Sequence, residues 1–262
     1  MIKVVVHGAL GRVGQEVLRA VCTNAEMQAV GAVDIKAKSK KLTLPNDTEV
    51  PLSDDIDAML SSTKPDVMVD FTVHQAAMPA IRIAAKRKVN LVVGTTGFTK
   101  QDIDEIDKLC SSNKIGAIVA SNFAIGAILM IHMAKIAAKY FDYAEIIEKH
   151  HEKKADAPSG TALSTAKAMI EARGKGFTMP PLEKETLAGT RGGKVNGISI
   201  HSVRLPGYMA NQDVIFGALG QTLKISHETI SREAFMPGVI MAIKHVNENK
   251  GLIIGLEQLL GL

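Results

Sequence analysis

The first 120 residues alternate brief apolar runs with amphipathic stretches, and the first of those runs ends in a glycine-rich turn. Residues 2–7 read as a strand. Gly8-Ala-Leu-Gly11-Arg12-Val-Gly14 follows at once and opens a helix over 11–22. A short Val/Ile-rich strand without polar alternation is buried on both faces, as strands are in parallel sheets whose crossovers are helices. The rhythm continues with strands over 28–34, 67–71, 90–93 and 115–120, and helices over 55–60, 75–88 and 100–111. A doubly wound α/β sheet is the expectation.

A strand, a glycine-rich turn and a helix in that order form the setting in which a dinucleotide pyrophosphate is bound. The spacing departs from G-x-G-x-x-G, because Ala9 holds the first glycine position and Gly8 precedes it. Gly11 lets the backbone approach a pyrophosphate, and Gly14 lets the helix pack close to the sheet. Asp34 ends the second strand, where an acid bonds the adenosine ribose. Lys36 follows, a cation suited to a 2′-phosphate, so both NADH and NADPH are expected to serve. Three more polar segments sit at carboxyl ends of strands: Asp70-Phe71-Thr72, Gly94-Thr95-Thr96-Gly97 and Ala120-Ser121-Asn122-Phe123. Together they predict a cleft along one sheet edge.

After Asn122 the pattern changes. A helix over 125–140 leads to a strand over 143–149. Residues 150–161 then read His-His-Glu-Lys-Lys-Ala-Asp-Ala-Pro-Ser-Gly-Thr. Histidines titrate nearest to neutral pH, and Lys153 and Lys154 add cationic donors. A helix is expected from Ser159 to about 172, with Pro158 in its first turn. Ser159, Gly160 and Thr161 would then offer amides and hydroxyls to a carboxylate or phosphate. A long loop over 173–194, strands over 195–204, 212–217 and 221–226, and a helix over 231–246 complete the reading. Adjacent strands without helices between them predict a mixed sheet and a second domain.

With 31 basic and 27 acidic residues the net charge is +4 and no tryptophan is present, which fits a small acidic ligand better than nucleic acid. Cys22 and Cys110 have neither metal-ligand spacing nor the look of a disulfide framework, and a reducing cytoplasm is expected. The uncharged run over 115–131 is divided by Ser121-Asn122 and reads as a buried strand and helix, not a membrane span. No signal peptide is expected.

Taken together, GALGRVG at 8–14, DFT at 70–72, GTTG at 94–97, ASNF at 120–123, EKHHEKKADAPSGTA at 148–162 and HSVRLPG at 201–207 resemble the 4-hydroxy-tetrahydrodipicolinate reductase (dihydrodipicolinate reductase) family. The resemblance implies an NAD(P)H-dependent reductase of lysine and diaminopimelate synthesis, cytoplasmic and homotetrameric. It implies a Rossmann-like domain over 1–121, to which 231–262 returns, and an α+β domain over 122–230 for substrate binding and oligomerisation. By matching position, Gly8, Ala9, Leu10, Gly11, Arg12 and Val13 hold cofactor phosphates, and Asp34 the ribose. Gly94, Thr95 and Thr96 with Ala120, Ser121, Asn122 and Phe123 line the nicotinamide pocket. His150 takes the place of the proton donor/acceptor and Lys154 that of a proton donor. His151, Gly160 and Thr161 take the places that grip substrate carboxylates. Two positions depart from the family: Ile35 stands where a basic residue is common, and His7 where a small one is. The rival readings are another two-domain dehydrogenase of amino-acid metabolism and a nicotinamide-sensing protein without turnover.

Overall fold

The computed structural model describes residues 1–262, and the chain divides into two compact units, Met1–Ile125 with Arg232–Leu262, and Gly126–Ser231. The first unit opens with β1 (Ile2–His7), α1 (Arg12–Thr23) and β2 (Met27–Val33). A short hairpin of β3 (Lys41–Thr43) and β4 (Glu49–Ser53) follows. Next come α2 (Ile56–Thr63), β5 (Val67–Asp70), α3 (His74–Lys86), β6 (Asn90–Val93), α4 (Lys100–Asn113) and β7 (Gly116–Val119). The second unit holds α5 (Ile125–Ala137), β8 (Tyr143–His150), α6 (Gly160–Arg173), β9 (Gly193–Val195), β10 (Ile198–Arg204), β11 (Ala210–Ala218) and β12 (Gln221–Thr229). The chain ends, back in the first unit, with α7 (Met236–Glu248) and β13 (Gly251–Ile254).

The eight-stranded sheet has the order β13-β7-β6-β5-β1-β2-β4-β3 and is parallel except for the β3–β4 pair. β5, β6 and β7 are buried at every residue, as strands between two helical layers must be. α2, α3 and α4 build one core with them through Leu60, Ile81, Ile106 and Cys110. The first crossover helix follows β1, so β1, β5 and β6 end side by side: His7 pairs with Asp70, and Asp70 with Val93. That alignment delivers the turns after these strands to one edge.

The second sheet is mixed, in the order β12-β11-β8-β10-β9, with β8 in the middle, parallel to β10 and antiparallel to β11. Ala144, Ile146, Val214 and Phe216 pack against α5 and α6 through Met130, Ala134, Ala162, Ala166 and Met169. The strand expected over 195–204 is instead a hairpin, turning at Asn196-Gly197, where both residues have positive φ. The helix expected from 231 begins as a 3-10 turn over Arg232–Phe235, because Pro237 then occupies the first turn of α7. β3, β4 and β13 are additional to the sequence expectation. The uncharged run over 115–131 is β7, a loop and the start of α5, and no helix is long and apolar enough to cross a membrane.

Candidate active site

Gly8 has φ +83, and a Cβ there would lie 2.6 Å from the Phe71 carbonyl. A Cβ on Gly14 would lie 2.1 Å from the Gly8 carbonyl. The turn therefore closes only with glycines at these positions. Amides of Gly8 and Ala9 bond the Val33 carbonyl, at 2.8 and 3.1 Å, fixing the turn to the end of β2. α1 starts at Arg12 with Gly11 as N-cap and no side-chain cap. Its first amides point into the turn without a protein acceptor, which is a fitting cradle for an anion. Asp34 is nearly buried. Its Oδ2 accepts from Leu10 N and its Oδ1 from Lys36 N, both at 2.9 Å. Each oxygen keeps a lone pair for a further donor. Lys36 and Arg12 are exposed. Ile35, at the departure noted above, is 90% exposed.

The neighbouring strand ends meet on Asp70, which is fully buried. His7 Nδ1 lies 2.6 Å from its Oδ2, and Thr95 Oγ1 donates to its Oδ1 at 2.5 Å. The Thr72 hydroxyl is 3.1 Å from both oxygens, and the Thr72 amide bonds Thr95 Oγ1 at 2.9 Å. The Thr95 hydroxyl is thus committed to the network, which leaves only its backbone groups for a ligand. Phe123 is likewise buried, its ring 5.5 Å from that of Phe71. Gly94 is required because a Cβ would meet the Phe71 ring at 2.1 Å. Asn122 Oδ1 caps Ala124 N at 2.9 Å, while Thr96 and Ser121 are exposed.

The second unit carries the titratable cluster. His150 ends β8, and its Nδ1 lies 2.5 Å from Glu148 Oε2. Arg204 clamps Glu148 with two bonds, Nη1 to Oε2 at 2.9 Å and Nη2 to Oε1 at 2.8 Å. Burial alone would raise the Glu148 carboxyl, but hydrogen bonds from Arg204, Ser202 and His150 outweigh it and hold the group below its ordinary value. Burial pushes the His150 imidazole down. Glu148 opposes that shift, and the cations of Lys154 and Arg204 add to it. His151 Nδ1 accepts from Lys153 N at 3.2 Å, which turns Nε2 into the donor of a neutral ring. Lys154 Nζ rests on Asp156 Oδ1 at 2.7 Å.

α6 begins at Gly160, and Ser159 is its N-cap, the hydroxyl accepting from Ala162 N at 3.1 Å. Pro158 is therefore one residue outside the helix, not in its first turn. Serine is the stronger cap, and it displaces proline outward. Ser159 itself is spent on structure, since its amide donates to Glu148 Oε1 at 3.2 Å. The amides of Gly160 and Thr161 have no acceptor in the protein, and a Cβ on Gly160 would meet nothing within 4 Å. An anion has room there.

Glu148 and Arg204 lay inside the quoted motifs, yet residue types alone did not single them out. One signal was available: Ala144, Ile146, Glu148 and His150 alternate on one face of β8, so a charge lies on the row that faces the core. Arg204 is found only once the register is known, which sets it beside His150.

Family models described as dihydrodipicolinate reductase, N-terminus and C-terminus, match residues 2–123 and 126–260. The chain is 56% identical over 262 residues to a 4-hydroxy-tetrahydrodipicolinate reductase of Dehalococcoides mccartyi, covering 100% of this chain and 99% of the other. It is 47% identical to the enzyme of that name from Moorella thermoacetica, covering 99% and 98%. A dipicolinate-bound dihydrodipicolinate reductase from Paenisporosarcina sp. TG-14 superposes with TM-score 0.88 at 42% identity, covering 98% of this chain and 99% of that one.

Proposed function

The chain belongs to the dihydrodipicolinate reductase family, NAD(P)H-dependent oxidoreductases of lysine and diaminopimelate synthesis, and we propose a division of its chemistry between the two units. The first unit holds the cofactor and the second holds substrate and supplies the proton. The reaction is reduction of 4-hydroxy-tetrahydrodipicolinate to tetrahydrodipicolinate, carried out in the cytoplasm by a homotetramer. The observation that carries the reading is His150, whose Nδ1 is secured by a buried carboxylate while α6 nearby keeps two unpaired amides for an anion.

The glycine turn fits a dinucleotide: its first-turn amides are uncapped, and added Cβ atoms would fill the cradle. Gly8 to Val13 would hold the phosphates, Asp34 the ribose, and Lys36 a 2′-phosphate. Gly94 to Thr96 and Ala120 to Phe123 would hold the nicotinamide, with Thr95 and Phe123 acting through backbone. Bound there, the reduced cofactor supplies hydride. His150 gives a proton from Nε2 to the charge that develops on the substrate ring. Lys154 is the second donor, released from Asp156 as substrate enters. His151, the amides of Gly160 and Thr161, and the Thr161 hydroxyl receive the two carboxylates. The dipicolinate bound to the Paenisporosarcina enzyme is a dicarboxylate of the same kind.

The tetramer reading comes from the family resemblance, and the sheet face that α5 and α6 leave uncovered is where we place the contact. There Lys149 and Lys224 reach the buried Asp213 at 2.8 and 3.1 Å, beside Ile147 and Ile215. Light scattering after size exclusion reads the mass directly. The function is tested by steady-state reduction of freshly generated 4-hydroxy-tetrahydrodipicolinate with NADH and NADPH in parallel. Turnover with either supports the reading, and cofactor binding without turnover returns the protein to the class of sensors.

A further inference from the structure

We propose that Glu148 is the positioning residue of the proton step, a single buried carboxylate that aims His150 and sets the first turn of α6 at the same time. This rests on the reading of His150 as proton donor. Glu148 stands two residues before His150 on the same face of β8, in line with Ala144 and Ile146, where packing calls for an apolar side chain. Burying a carboxylate there is costly unless every lone pair is met. Each oxygen is met at least twice. Oε2 takes His150 Nδ1 and Arg204 Nη1, and Oε1 takes Arg204 Nη2 and the Ser159 amide. Arg204 Nη2 also donates to the Asp156 carbonyl at 2.7 Å. The loop between β8 and α6 is thereby tied at both ends to the group that holds the histidine.

Three consequences follow from these bonds. An ionised carboxylate only accepts, so the shared proton sits on Nδ1 and the neutral His150 ring leaves Nε2 bare. Nε2 is then the atom that takes up and delivers the catalytic proton, and the ring cannot flip without giving up a charge-assisted bond. The same carboxylate fixes the Ser159 amide, and with it the direction in which the Gly160 and Thr161 amides point. An orienting acid of this kind is a recurrent partner of catalytic and metal-bound histidines.

The charged groups facing His150 are Glu148 on its own strand, Arg204 on β10 and Lys154 in the loop. Of these only Glu148 favours the protonated ring, so removing its charge moves the deprotonation of His150 to lower pH. The test is Glu148→Gln, which preserves shape, compared with wild type, His150→Gln and the double variant. Expected for Glu148→Gln is a kcat lowered by roughly 10- to 100-fold, little change in cofactor KM, and the alkaline limb of kcat/KM displaced to lower pH. The double variant should be no slower than His150→Gln alone, because the two residues act as one unit. A Glu148→Gln enzyme with the limb unmoved, or losses that multiply in the double variant, would overturn the proposal. Normal kcat in His150→Gln would instead remove the reading beneath it. Nitrogen-15 NMR of histidine in the wild-type enzyme decides the matter even if Glu148→Gln does not fold. A neutral His150 protonated on Nδ1 supports the proposal, and protonation on Nε2 overturns it.

Discussion

Asp70 in the first unit and Glu148 in the second are both wholly buried, and each holds a histidine by Nδ1, at 2.6 and 2.5 Å. Their remaining partners differ. Glu148 is clamped by a guanidinium, whereas Asp70 is met by two threonine hydroxyls and a backbone amide. With Arg204 present, the charge of Glu148 is balanced whether or not His150 carries a proton. His7 is the one side chain at Asp70 able to carry positive charge. Asp70 also gathers its partners from three successive strand ends, while Glu148 gathers its own around a single histidine and one helix start. On the proposed function, one carboxylate stands where a proton comes and goes beside it. The other is arranged to keep loops in register.

The sharpest way to break that contrast is His150→Gln. Loss of a positioned acid is worth roughly 10²–10⁴-fold in kcat, with the dissociation constant for cofactor unchanged. Stopped-flow turnover and equilibrium titration together read both. Asp70→Asn should do the opposite. Hydrogen bonds to a charged group are worth about 1.5–3 kcal/mol, and the loss should appear as lower unfolding free energy and a raised cofactor KM. At saturating cofactor, kcat should stay within a few-fold of wild type. A fall in kcat as large as that of His150→Gln would erase the distinction between the two pairs.

Smaller effects separate hydrogen bonding from charge at the first pair. In His7→Asn an amide nitrogen can replace Nδ1 without any charge. If His7 serves mainly as a donor, the variant should lose about 1 kcal/mol or less and bind cofactor nearly as well as wild type, while His7→Ala binds it visibly worse. Identical titration curves for Asn and Ala would mean that the charge, not the donor, is what Asp70 requires. The mildest change is Lys36→Ala. An exposed ion pair contributes about 0.2–1 kcal/mol, so kcat/KM should fall by a few-fold with NADPH and stay the same with NADH. Equal values for both cofactors would leave the choice to Asp34 alone.

Much of this was legible without coordinates where a residue type has one physical use. Gly14 was expected to let the helix pack close to the sheet, and a Cβ there would strike the Gly8 carbonyl; the need for glycine at 8, set by its positive φ and the Phe71 carbonyl, came only with the structure. The motifs from 8 to 207 pointed to the family that the chain belongs to. What escaped was decided by neighbours distant in sequence. The β3–β4 hairpin does alternate, with Leu42, Leu44, Val50 and Leu52 as its apolar positions, but its strands are only three and five residues long and Pro45 and Pro51 break the pattern; it exists because β4 joins the edge of β2. β13 is four residues long and acquires meaning only by pairing with β7. Arg204 was invisible as a partner of Glu148 because 56 residues separate them and only the β8–β10 register joins them. At the helix start the expectation put Pro158 in the first turn, whereas Ser159 is the cap and Pro158 precedes it.

β8 is the middle strand of its sheet, hydrogen-bonded along both edges, and Glu148 and His150 lie near its end. Backbone amides in such a strand exchange with solvent only through large openings of the fold, whereas the segment 151–157, mostly exposed and outside any ladder, exchanges through small ones. On the proposed function, any movement that accompanies substrate entry is expected in that segment, which carries Lys154, and not in β8. The histidine and its carboxylate sit on the protected strand, while Lys154 sits on a short span tethered on both sides, by the end of β8 and by the Ser159 and Asp156 bonds to the Glu148–Arg204 pair.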